Sequence, residues 1–574
     1  MADQSVAAEQ HAETSVRTET SMPTETSVPA ETAQWWRDAV IYQVYPRSFA
    51  DGDGDGIGDL TGVRERLPYL AELGVDALWF SPWYASPQAD AGYDVADYRR
   101  IDPAFGTLEQ AEALMAEAHA LDLKIIVDVV PNHVSDRHAW FQEAVAAGPG
   151  AEARDLFWFR PGRGTDGELP PNDWQSVFGG PAWTRTANPD GTPGEWYLHL
   201  FAPEQPDLNW NNSKVREEHE NVLSFWFDRG ADGVRIDSAT MPAKDPALPD
   251  FDPDAPPVPH PYIDRDDVHD IYRSWRALAE SYERPRALIG EVWLADPVRF
   301  AHYLRPDEMH SAFNFDYLNC SWDAAELRRV IDATLAAHAS VGAPASWVLS
   351  NHDVTRHVTR YGRADTSFGL SLRQHQVLTD LELGTRRARA ALLLDLALPG
   401  GCYLYQGEEL GLWEVEDIPD ELRQDPIFHR TGGTDIGRDG CRVPLPWSGE
   451  RPPFGFSPEG ASAPPWLPQP QRWAAYTAQA QSGRPESMLT FYRTALGLRR
   501  SERGLHGADF GWLPEHAPGV LAFGRGDGFS CLANLSGTAA PLPADADVIL
   551  ASAPGFDPGA AELPDDTTVW LRRR

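Results

Sequence analysis

The 574-residue sequence has few cysteines, a deficit of cationic side chains and no long apolar run. The four cysteines (Cys320, Cys402, Cys441 and Cys531) are scattered and lack metal-site spacing, so we expect free thiols in a reducing compartment. With 49 Lys+Arg against 86 Asp+Glu, the formal net charge of -37 argues against nucleic acid as a partner. No segment is long and apolar enough to cross a bilayer, and the N-terminus lacks a secretory signal. We therefore predict a cytoplasmic protein with no membrane partner.

The N-terminal segment, residues 1–33, is of low complexity. It repeats Glu-Thr-Ser three times, beginning at Glu13, Glu19 and Glu25. Large apolar side chains are too sparse there to offset the entropy lost on ordering. We predict a disordered tail.

The rest of the chain alternates between short apolar strands and amphipathic helices. The predicted strands are 39–45, 76–80, 124–130, 233–237, 287–291, 311–315, 346–350 and 402–405. The predicted helices are 59–73, 108–121, 213–229, 267–282, 386–398 and 486–500. Such alternation implies parallel strands joined by right-handed crossovers. The predicted fold class is α/β, a (β/α)8 TIM barrel.

Two stretches interrupt this alternation. Residues 133–208 are rich in Gly, Pro, Trp and Asp, and they are too long for a plain connection, so we predict a small inserted domain B. Residues 504–574 carry short alternating runs that are typical of an antiparallel β-sandwich. The catalytic barrel, domain A, is then predicted to span 34–132 and 209–503.

Ionisable side chains follow the predicted strands. His133 follows the third strand, Asp237 ends the fourth, Glu291 ends the fifth and Asp353 follows the seventh. In a barrel these strand ends converge on one face. Arg235 shares a strand face with Asp237, and a neighbouring cation favours the ionised form of a carboxylate. A structural ion pair or a cap is the alternative for any single residue, but grouping several like charges is costly without a use.

Two of these carboxyl groups suit the cleavage of a glycosidic bond, which needs a proton donor and a group that captures the oxocarbenium ion. Glu291 ends an apolar strand, and Asp353 would repel its charge, so we expect a raised pKa and a general acid/base role. Asp237, beside Arg235, is expected to stay ionised and to act as the nucleophile.

The segment after the first strand, Asp51 to Asp59, resembles the start of a calcium loop. We call it the acid loop. Aspartates alternate along it, and Gly56 permits a sharp turn. The bidentate Glu expected at the twelfth position is replaced by Gly62. The sequence favours a structural, non-catalytic Ca²⁺; a Mg²⁺ site or a solvated acidic turn is the alternative. The candidate ligands are Asp51, Asp53, Asp55, Ile57 and Asp59.

Four segments together resemble a known family. They are Asp128-Val-Val-Pro-Asn132-His133, Gly233-Val-Arg235-Ile-Asp237, Gly290-Glu291-Val-Trp293 and Ser350-Asn351-His352-Asp353. They are similar, in order and spacing, to the four signature segments of the α-amylase superfamily, glycoside hydrolase family 13. The similarity covers about residues 35–574.

The resemblance implies a retaining mechanism with a covalent glucosyl intermediate on Asp237. It implies Glu291 as acid/base and Asp353 as transition-state stabiliser. It also implies that Asp94 grips the 4- and 6-hydroxyls of the glucose and that Tyr93 stacks beneath the ring, with a capped turn as the alternative for this segment. The other residues implied or assigned to substrate binding are His133, Arg235, His352, Arg442 and Phe178.

Further segments, 205–210, 405–409 and 437–444, resemble the exo-acting α-glucosidase and oligo-1,6-glucosidase group. Members specific for α-1,6 bonds typically carry Val after the nucleophile. Ser238 stands there instead and resembles the α-1,4-preferring branch. The alternatives are an oligo-1,6-glucosidase, a transglucosidase, an isomaltulose- or trehalose-type isomerase and, with little support, a transporter heavy chain. The expected partner is a small oligosaccharide, bound by a monomer or a homodimer.

Overall fold

The computed structural model describes residues 30–188, 190–251, 259–369, 374–514 and 517–574. The chain divides into two units, Met1–Trp35 and Trp36–Arg574. The predicted tail, 1–33, lies almost wholly outside the described residues, which begin with the 3-10 helix Ala30–Arg37. The four cysteines are buried and unpaired.

Eight parallel strands of the second unit form one sheet that is nearly closed into a barrel. They are β1 (Val40–Val44), β2 (Ala77–Phe80), β3 (Lys124–Val129), β4 (Gly233–Ile236), β5 (Ala287–Gly290), β6 (Ser311–Ala312), β7 (Ser346–Val348) and β8 (Gly401–Tyr405). Their order in the sheet is β6-β5-β4-β3-β2-β1-β8-β7. The predicted α/β barrel is confirmed.

Helices connect the strands and cover the barrel. The long ones are Leu60–Leu73, Leu108–Ala120, Ser213–Asp228, Val268–Glu280, Ala324–Val341, Leu381–Ala397 and Met488–Ser501. Shorter ones are Ala139–Ala147, Pro297–His302, Phe315–Asn319, His357–Tyr361, Pro426–Arg430 and Ala478–Gln481. Local chemistry sets their limits: the Asp59 side chain accepts a hydrogen bond from Gly62 N at the start of the first helix, which Gly74 ends at φ +96°. Among the described residues, we find no helix with the length and apolar character needed to span a bilayer.

Several elements differ from the sequence prediction, and the sixth strand and one long helix are the main cases. The predicted sixth strand is shorter, because the Asn314 side chain accepts from Tyr317 N and begins a helix there. The helix Ala324–Val341 was missed, although Leu327, Val330 and Ile331 are buried at helical spacing and carry the signal for it.

Four further sheets lie outside the barrel strands in the described part of the chain, and one of them pairs Tyr84–Ala85 with Asp97–Ile101. Within 133–208, Phe159–Arg160, Pro193–Leu198 and Trp183–Ala187 form an antiparallel sheet. At the C-terminus, a five-stranded antiparallel sheet has the order Gly511–Trp512, Val520–Gly524, Phe529–Asn534, Thr567–Arg573 and Ala546–Ala551. A two-stranded sheet joins Ala540–Pro541 to Glu562–Leu563. These sheets fit the predicted fold class, but the domain limits stay predictions, since Trp36–Arg574 forms one unit.

Strand pairing continues past the strand ends and places the site residues. Asp237 N donates to Val129 O at 2.9 Å, and Glu291 N donates to Ile236 O at 2.9 Å. Asp237 and Glu291 are therefore each fixed one residue beyond their strands, at the carboxyl-terminal face of the barrel.

Candidate active site

Arg235 lies at the centre of a cluster of three carboxylates. Its Nη1 is 2.7 Å from Asp237 Oδ1 and 3.0 Å from Asp128 Oδ1, and its Nη2 is 2.6 Å from Glu291 Oε2. Asp128 and Arg235 are opposite each other in the pairing of β3 with β4, which brings their side chains together. We call these four residues the Arg235 cluster. The predicted pairing of Arg235 with Asp237 is present, but the guanidinium is shared by three acids.

The charge balance of the Arg235 cluster differs from the expectation. Burial raises the pKa of Asp128 to about 7, although Arg235 opposes the rise. Burial also raises the pKa of Asp237 well above its usual range, with Arg235 lowering it and Glu291 and Asp128 raising it. Arg235 opposes this rise, as the sequence suggests, but one guanidinium shared by three acids does not cancel the effect of burial. One cation cannot balance three buried carboxylates, so the cluster retains a proton near neutral pH.

The surroundings of Glu291 are polar, in contrast to the apolar environment predicted from its strand. Its carboxylate accepts from Trp293 Nε1 at 2.9 Å and from Ser238 N at 2.8 Å, besides its contact with Arg235. The flanking residues of β5 are apolar, but the donors come from β4 and from the segments after both strands. These donors fix the carboxylate in one orientation.

Asp353 is held by two arginines on the other side of the site. Its Oδ1 accepts from Arg442 Nη2 at 2.9 Å and from Arg438 Nη1 at 3.1 Å, and His352 Nε2 lies 3.2 Å from Oδ2. Burial would raise the pKa of Asp353, but His352, Arg438 and Arg442 together hold it below its usual range. Asp353 is therefore ionised, and two cations offset the repulsion that we had expected it to exert on Glu291.

Arg438 is a residue of the site that the sequence does not reveal. Besides Asp353, its guanidinium binds Asp90 at 2.6 Å and Asp425 at 2.7 Å, so it joins three distant segments of the chain. In the sequence, its segment Gly437-Arg438-Asp439 stands out only as part of the stretch that resembles the glucosidase group. The ion pairs of Arg438 join residues far apart in the chain and leave no local pattern.

A cavity of about 440 Å³ opens beside these acids. Of the predicted site residues, Tyr93, His133, Phe178, Asp237, Glu291 and Asp353 line it. Three other predicted site residues are buried and do not line the cavity but contact the acids that do: Arg235, His352 and Arg442. The Tyr93 ring stacks on His352, with ring centroids 5.3 Å apart and planes 2° apart. The structure thus brings all three predicted catalytic acids to one pocket.

Asp94 is completely buried but does not line this cavity. Its carboxylate accepts from Ala89 N at 2.9 Å and Asp90 N at 3.0 Å, and burial raises its pKa to about 6. This geometry is that of a capped turn, the alternative that the sequence left open, and it presents the neighbouring Asp90 to the cavity. Direct contact of Asp94 with a sugar stays a prediction.

Part of the cavity lining is apolar and is not predicted from the sequence. It includes Met241, Ile263, Trp293 and Ile427. The Trp293 ring stacks on Phe315 with centroids 3.5 Å apart, which fixes its orientation. The pocket therefore combines acidic side chains, where bonds can be broken, with apolar side chains that suit the face of a second ring.

The acid loop holds a second group of carboxylates. Oxygens of Asp51, Asp53 and Asp59 lie within 4.8 Å of one another, and Asp55 does not belong to this group. Backbone N–H groups bind them: Asp51 accepts from Gly54 N and Gly56 N, and Asp59 accepts from Gly52 N, Asp53 N and Gly62 N. Three of the predicted ligands thus form a set of oxygen donors of the kind that Ca²⁺ binds.

Residues 43–507 match the family model for the alpha-amylase catalytic domain, which covers most of the chain and all of the site described above. The chain belongs to the alpha-amylase family.

Named relatives in this family are glucosidases. The chain is 37% identical over 532 residues to a probable alpha-glucosidase of Rhizobium meliloti (strain 1021), covering 88% of this chain and 90% of the relative. It is 34% identical over 505 residues to an oligo-1,6-glucosidase of Heyndrickxia coagulans, covering 82% and 85%. This alpha-amylase family member is therefore a glycoside hydrolase, as predicted.

Solved structures of similar fold include transfer enzymes. The alpha-glucosyl transfer enzyme XgtA superposes with a TM-score of 0.80 at 35% identity, covering 94% of this chain and 100% of that one. The trehalulose synthase MutB from Pseudomonas mesoacidophila MX-45 gives a TM-score of 0.80 at 29% identity, covering 94% and 99%. Proteins of similar fold therefore include an alpha-glucosyl transfer enzyme and a trehalulose synthase.

Proposed function

We propose that the protein is a retaining, exo-acting α-glucosidase that releases terminal non-reducing α-glucosyl residues from maltose and short oligosaccharides. The observation that carries the proposal is that Asp237 and Glu291 bind the two ends of one guanidinium at the cavity wall. Two carboxyl groups that share a guanidinium are compatible with the separation of about 5–5.5 Å typical of retaining glycosidases.

In the proposed mechanism, Asp237 attacks the anomeric carbon of the glucosyl unit. Glu291 gives its proton to the leaving oxygen, and the C–O bond to the leaving sugar breaks as the bond to Asp237 forms. Glu291, now ionised, removes a proton from water, which displaces Asp237 and releases glucose of retained configuration.

Asp353 is the proposed stabiliser of positive charge in the transition state. Its ionised carboxylate lines the cavity and is fixed by two arginines, so it needs no reorganisation as charge develops. His133 and Tyr93 line the same cavity, and His352 and Arg442 support it; together they are proposed to hold the glucose. Arg438, bound to both Asp90 and Asp353, is proposed to close the pocket behind the non-reducing end.

The proposed preference is for α-1,4 bonds. Ser238 is the residue after the nucleophile, lines the cavity and donates its N–H to Glu291. A small side chain leaves room beside the scissile oxygen. Such a contact decides between linkages by about 1–3 kcal/mol, enough for a preference and not for exclusion.

A second candidate function is transfer of the glucosyl unit to a sugar or alcohol in place of water. The similarity to an alpha-glucosyl transfer enzyme and to a trehalulose synthase favours it, as does the apolar part of the cavity lining formed by Met241, Ile263, Trp293 and Ile427. That part of the lining suits an acceptor ring and excludes water.

Initial rates on maltose, isomaltose, sucrose and trehalose, with products resolved by chromatography, test these proposals. A glucosidase releases free glucose from maltose at the outset and acts on isomaltose more slowly. Oligosaccharides in place of glucose would favour transfer, an isomer of sucrose would favour the synthases, and no turnover of any α-glucoside would reject both functions.

We also propose that the acid loop binds a structural Ca²⁺. Asp51, Asp53 and Asp59 would supply carboxylate oxygens, and no step of the reaction passes through the ion. Asp51 and Asp59 are buried and held by backbone donors, which supports a preformed site.

A further inference from the structure

Lys244 is a fully buried cation that no step of the mechanism uses. It is one of three lysines in the sequence, with Lys124 and Lys214. Its side chain has no exposed area, and its Nζ is 2.8 Å from Asp207 Oδ2, a carboxylate that is equally buried. Removing an ammonium group from water costs free energy, so the interactions of Lys244 must offset the cost of its burial.

The second partner of Lys244 leads to the glucose pocket. Nζ donates to Asn132 Oδ1 at 2.6 Å, which turns the amide nitrogen of Asn132 towards His133, 3.1 Å from its Nδ1. Asn132 itself is completely buried at the end of β3. Lys244 thereby selects which end of the amide faces the imidazole.

Asp207, the other partner of Lys244, is paired with His133 through the backbone. The two residues form an antiparallel bridge, Asp207 N donates to Leu198 O, and Leu208 N donates to Asn132 O at 3.0 Å. Lys244 therefore joins three segments at one point: the end of β3, the segment of residues 133–208 and the loop after β4.

The loop after β4 also lines the pocket through Ser238, Thr240 and Met241. Beyond Lys244, the same loop packs against the segment of residues 133–208, where Asn172 Nδ2 donates to Leu248 O at 3.2 Å. Lys244 closely follows these lining residues in the loop. Its ion pair with Asp207 therefore restrains this part of the pocket lining, and it restrains His133 as well.

We propose that Lys244 is a positioning residue of the glucose pocket: through Asn132 and Asp207 it sets the orientation and the neutral state of His133. This inference rests on the proposed function, in which His133 holds the terminal glucose. It goes beyond that function by assigning a role to a residue that touches neither sugar nor reacting atoms.

The surrounding charges support the neutral state. Burial lowers the pKa of His133 to about 4; Asp207 raises it and Lys244 lowers it. On the pocket side the ring meets Gln205, whose Nε2 lies 3.0 Å from Nε2 of His133 and 3.1 Å from Asp90 Oδ2. Without Lys244, the charge of Asp207 would act on His133 alone and favour the imidazolium.

The test compares Lys244→Met, Lys244→Met/Asp207→Asn and the surface control Lys214→Met, each measured for kcat/KM on maltose, for the pH at which His133 titrates by NMR and for its Tm. In Lys244→Met we expect kcat/KM to fall by about 10- to 100-fold, the cost of a misplaced binding group. The titration of His133 should move up by about one pH unit. In the double variant it should return to its original pH while kcat/KM stays reduced, because Asn132 is still free to turn. Lys214→Met should change neither.

A merely structural Lys244 would give another result. If folded Lys244→Met kept the original kcat/KM and the original titration of His133, the proposal would be wrong. Should Lys244→Met not fold, the double variant, which has no unpaired buried charge, decides: an unchanged kcat/KM in it overturns the proposal equally.

A histidine NMR measurement separates this inference from the proposed function. With ¹³C-labelled histidine and His133→Gln for assignment, the His133 resonance should titrate at higher pH in Lys244→Met than in the unmodified protein. A protein inactive on all α-glucosides would reject the proposed function, yet this shift would still support the link from Lys244 to His133; an unshifted titration would contradict the link even in an active enzyme.

Discussion

The Arg235 cluster and the acid loop each gather three carboxylates, but they neutralise them differently. In the Arg235 cluster, Asp128, Asp237 and Glu291 share one buried guanidinium. In the acid loop, backbone N–H groups bind Asp51 and Asp59, and Asp53 is exposed. The first arrangement carries a deficit of positive charge, which a proton fills. The second orders oxygens around a point that a metal ion can occupy.

This difference indicates that the Arg235 cluster is suited to proton transfer and that the acid loop is suited to binding a metal ion. A buried guanidinium holds several carboxylates without satisfying all of them, so burial still raises the pKa of Asp128 and of Asp237, and the two titrations are coupled. In the acid loop, burial raises the pKa of Asp59 and three backbone N–H groups oppose the rise, so the same donors that hold the carboxylate favour its ligand form. Four experiments test the comparison.

The largest effect is expected for Asp237→Asn, which removes the nucleophile and keeps the shape of the side chain. We expect kcat/KM on maltose to fall by about 10⁴-fold or more, with folding retained. Asp128→Asn is the matched control, because Asp128 binds the same Nη1 but does not line the cavity. It should lose far less activity. Equal losses in the two variants would mean that the cluster acts only through Arg235.

The next effect concerns stability against pH. Because the pKa of Asp128 in the folded state is raised to about 7, the folded protein binds this proton more tightly than the unfolded chain. The resulting stabilisation is fully present below about pH 4 and is lost as the pH rises through 7, by about 4 kcal/mol at most.

Asp128→Asn should therefore lose less unfolding free energy between pH 4 and pH 8 than the unmodified protein, as measured by denaturant titration. If the unfolding free energies of the two proteins changed with pH in parallel, the pKa of Asp128 would not be raised in the folded protein. That result would contradict the charge balance of the Arg235 cluster.

A smaller change is expected from Ser238→Val, beside the nucleophile. The added methyl groups should narrow the space next to the scissile oxygen and shift the maltose-to-isomaltose ratio of kcat/KM towards isomaltose by about tenfold. Ser238→Ala, which adds no bulk, is the control. Because Ser238 has a φ of +43°, a β-branched residue also costs some stability, so rates are compared below the Tm of the variant. A ratio that does not move would remove Ser238 as a determinant of linkage.

The smallest effect is expected at the acid loop. Adding Ca²⁺ after chelation should raise Tm by a few degrees, since a ligand that binds only the folded state stabilises it. Asp53→Asn should abolish this response, and Asp55→Asn, which alters an aspartate outside the group of three, should largely keep it. kcat should not depend on Ca²⁺ in any of these proteins below their Tm. A Tm indifferent to Ca²⁺ would leave the loop as a turn held by its backbone.

The residues that the sequence reveals best are those fixed by local pattern. Asp237 and Glu291 each follow an apolar strand by one position, so strand prediction alone places them on the same barrel face. Arg438 and Lys244 were missed because their partners, Asp90 and Asp207 among them, lie far away in the chain. The rise in the pKa of Asp237 could not be predicted either, since β3 brings a third carboxylate to Arg235 that no spacing within β4 reveals.

The most direct test of the account is the configuration of the first product. Proton NMR of maltose hydrolysis, recorded before mutarotation, should show α-glucose appearing first, because two successive displacements at one carbon retain its configuration. Early β-glucose would mean that water attacks the sugar directly, and Asp237 would then have no covalent role.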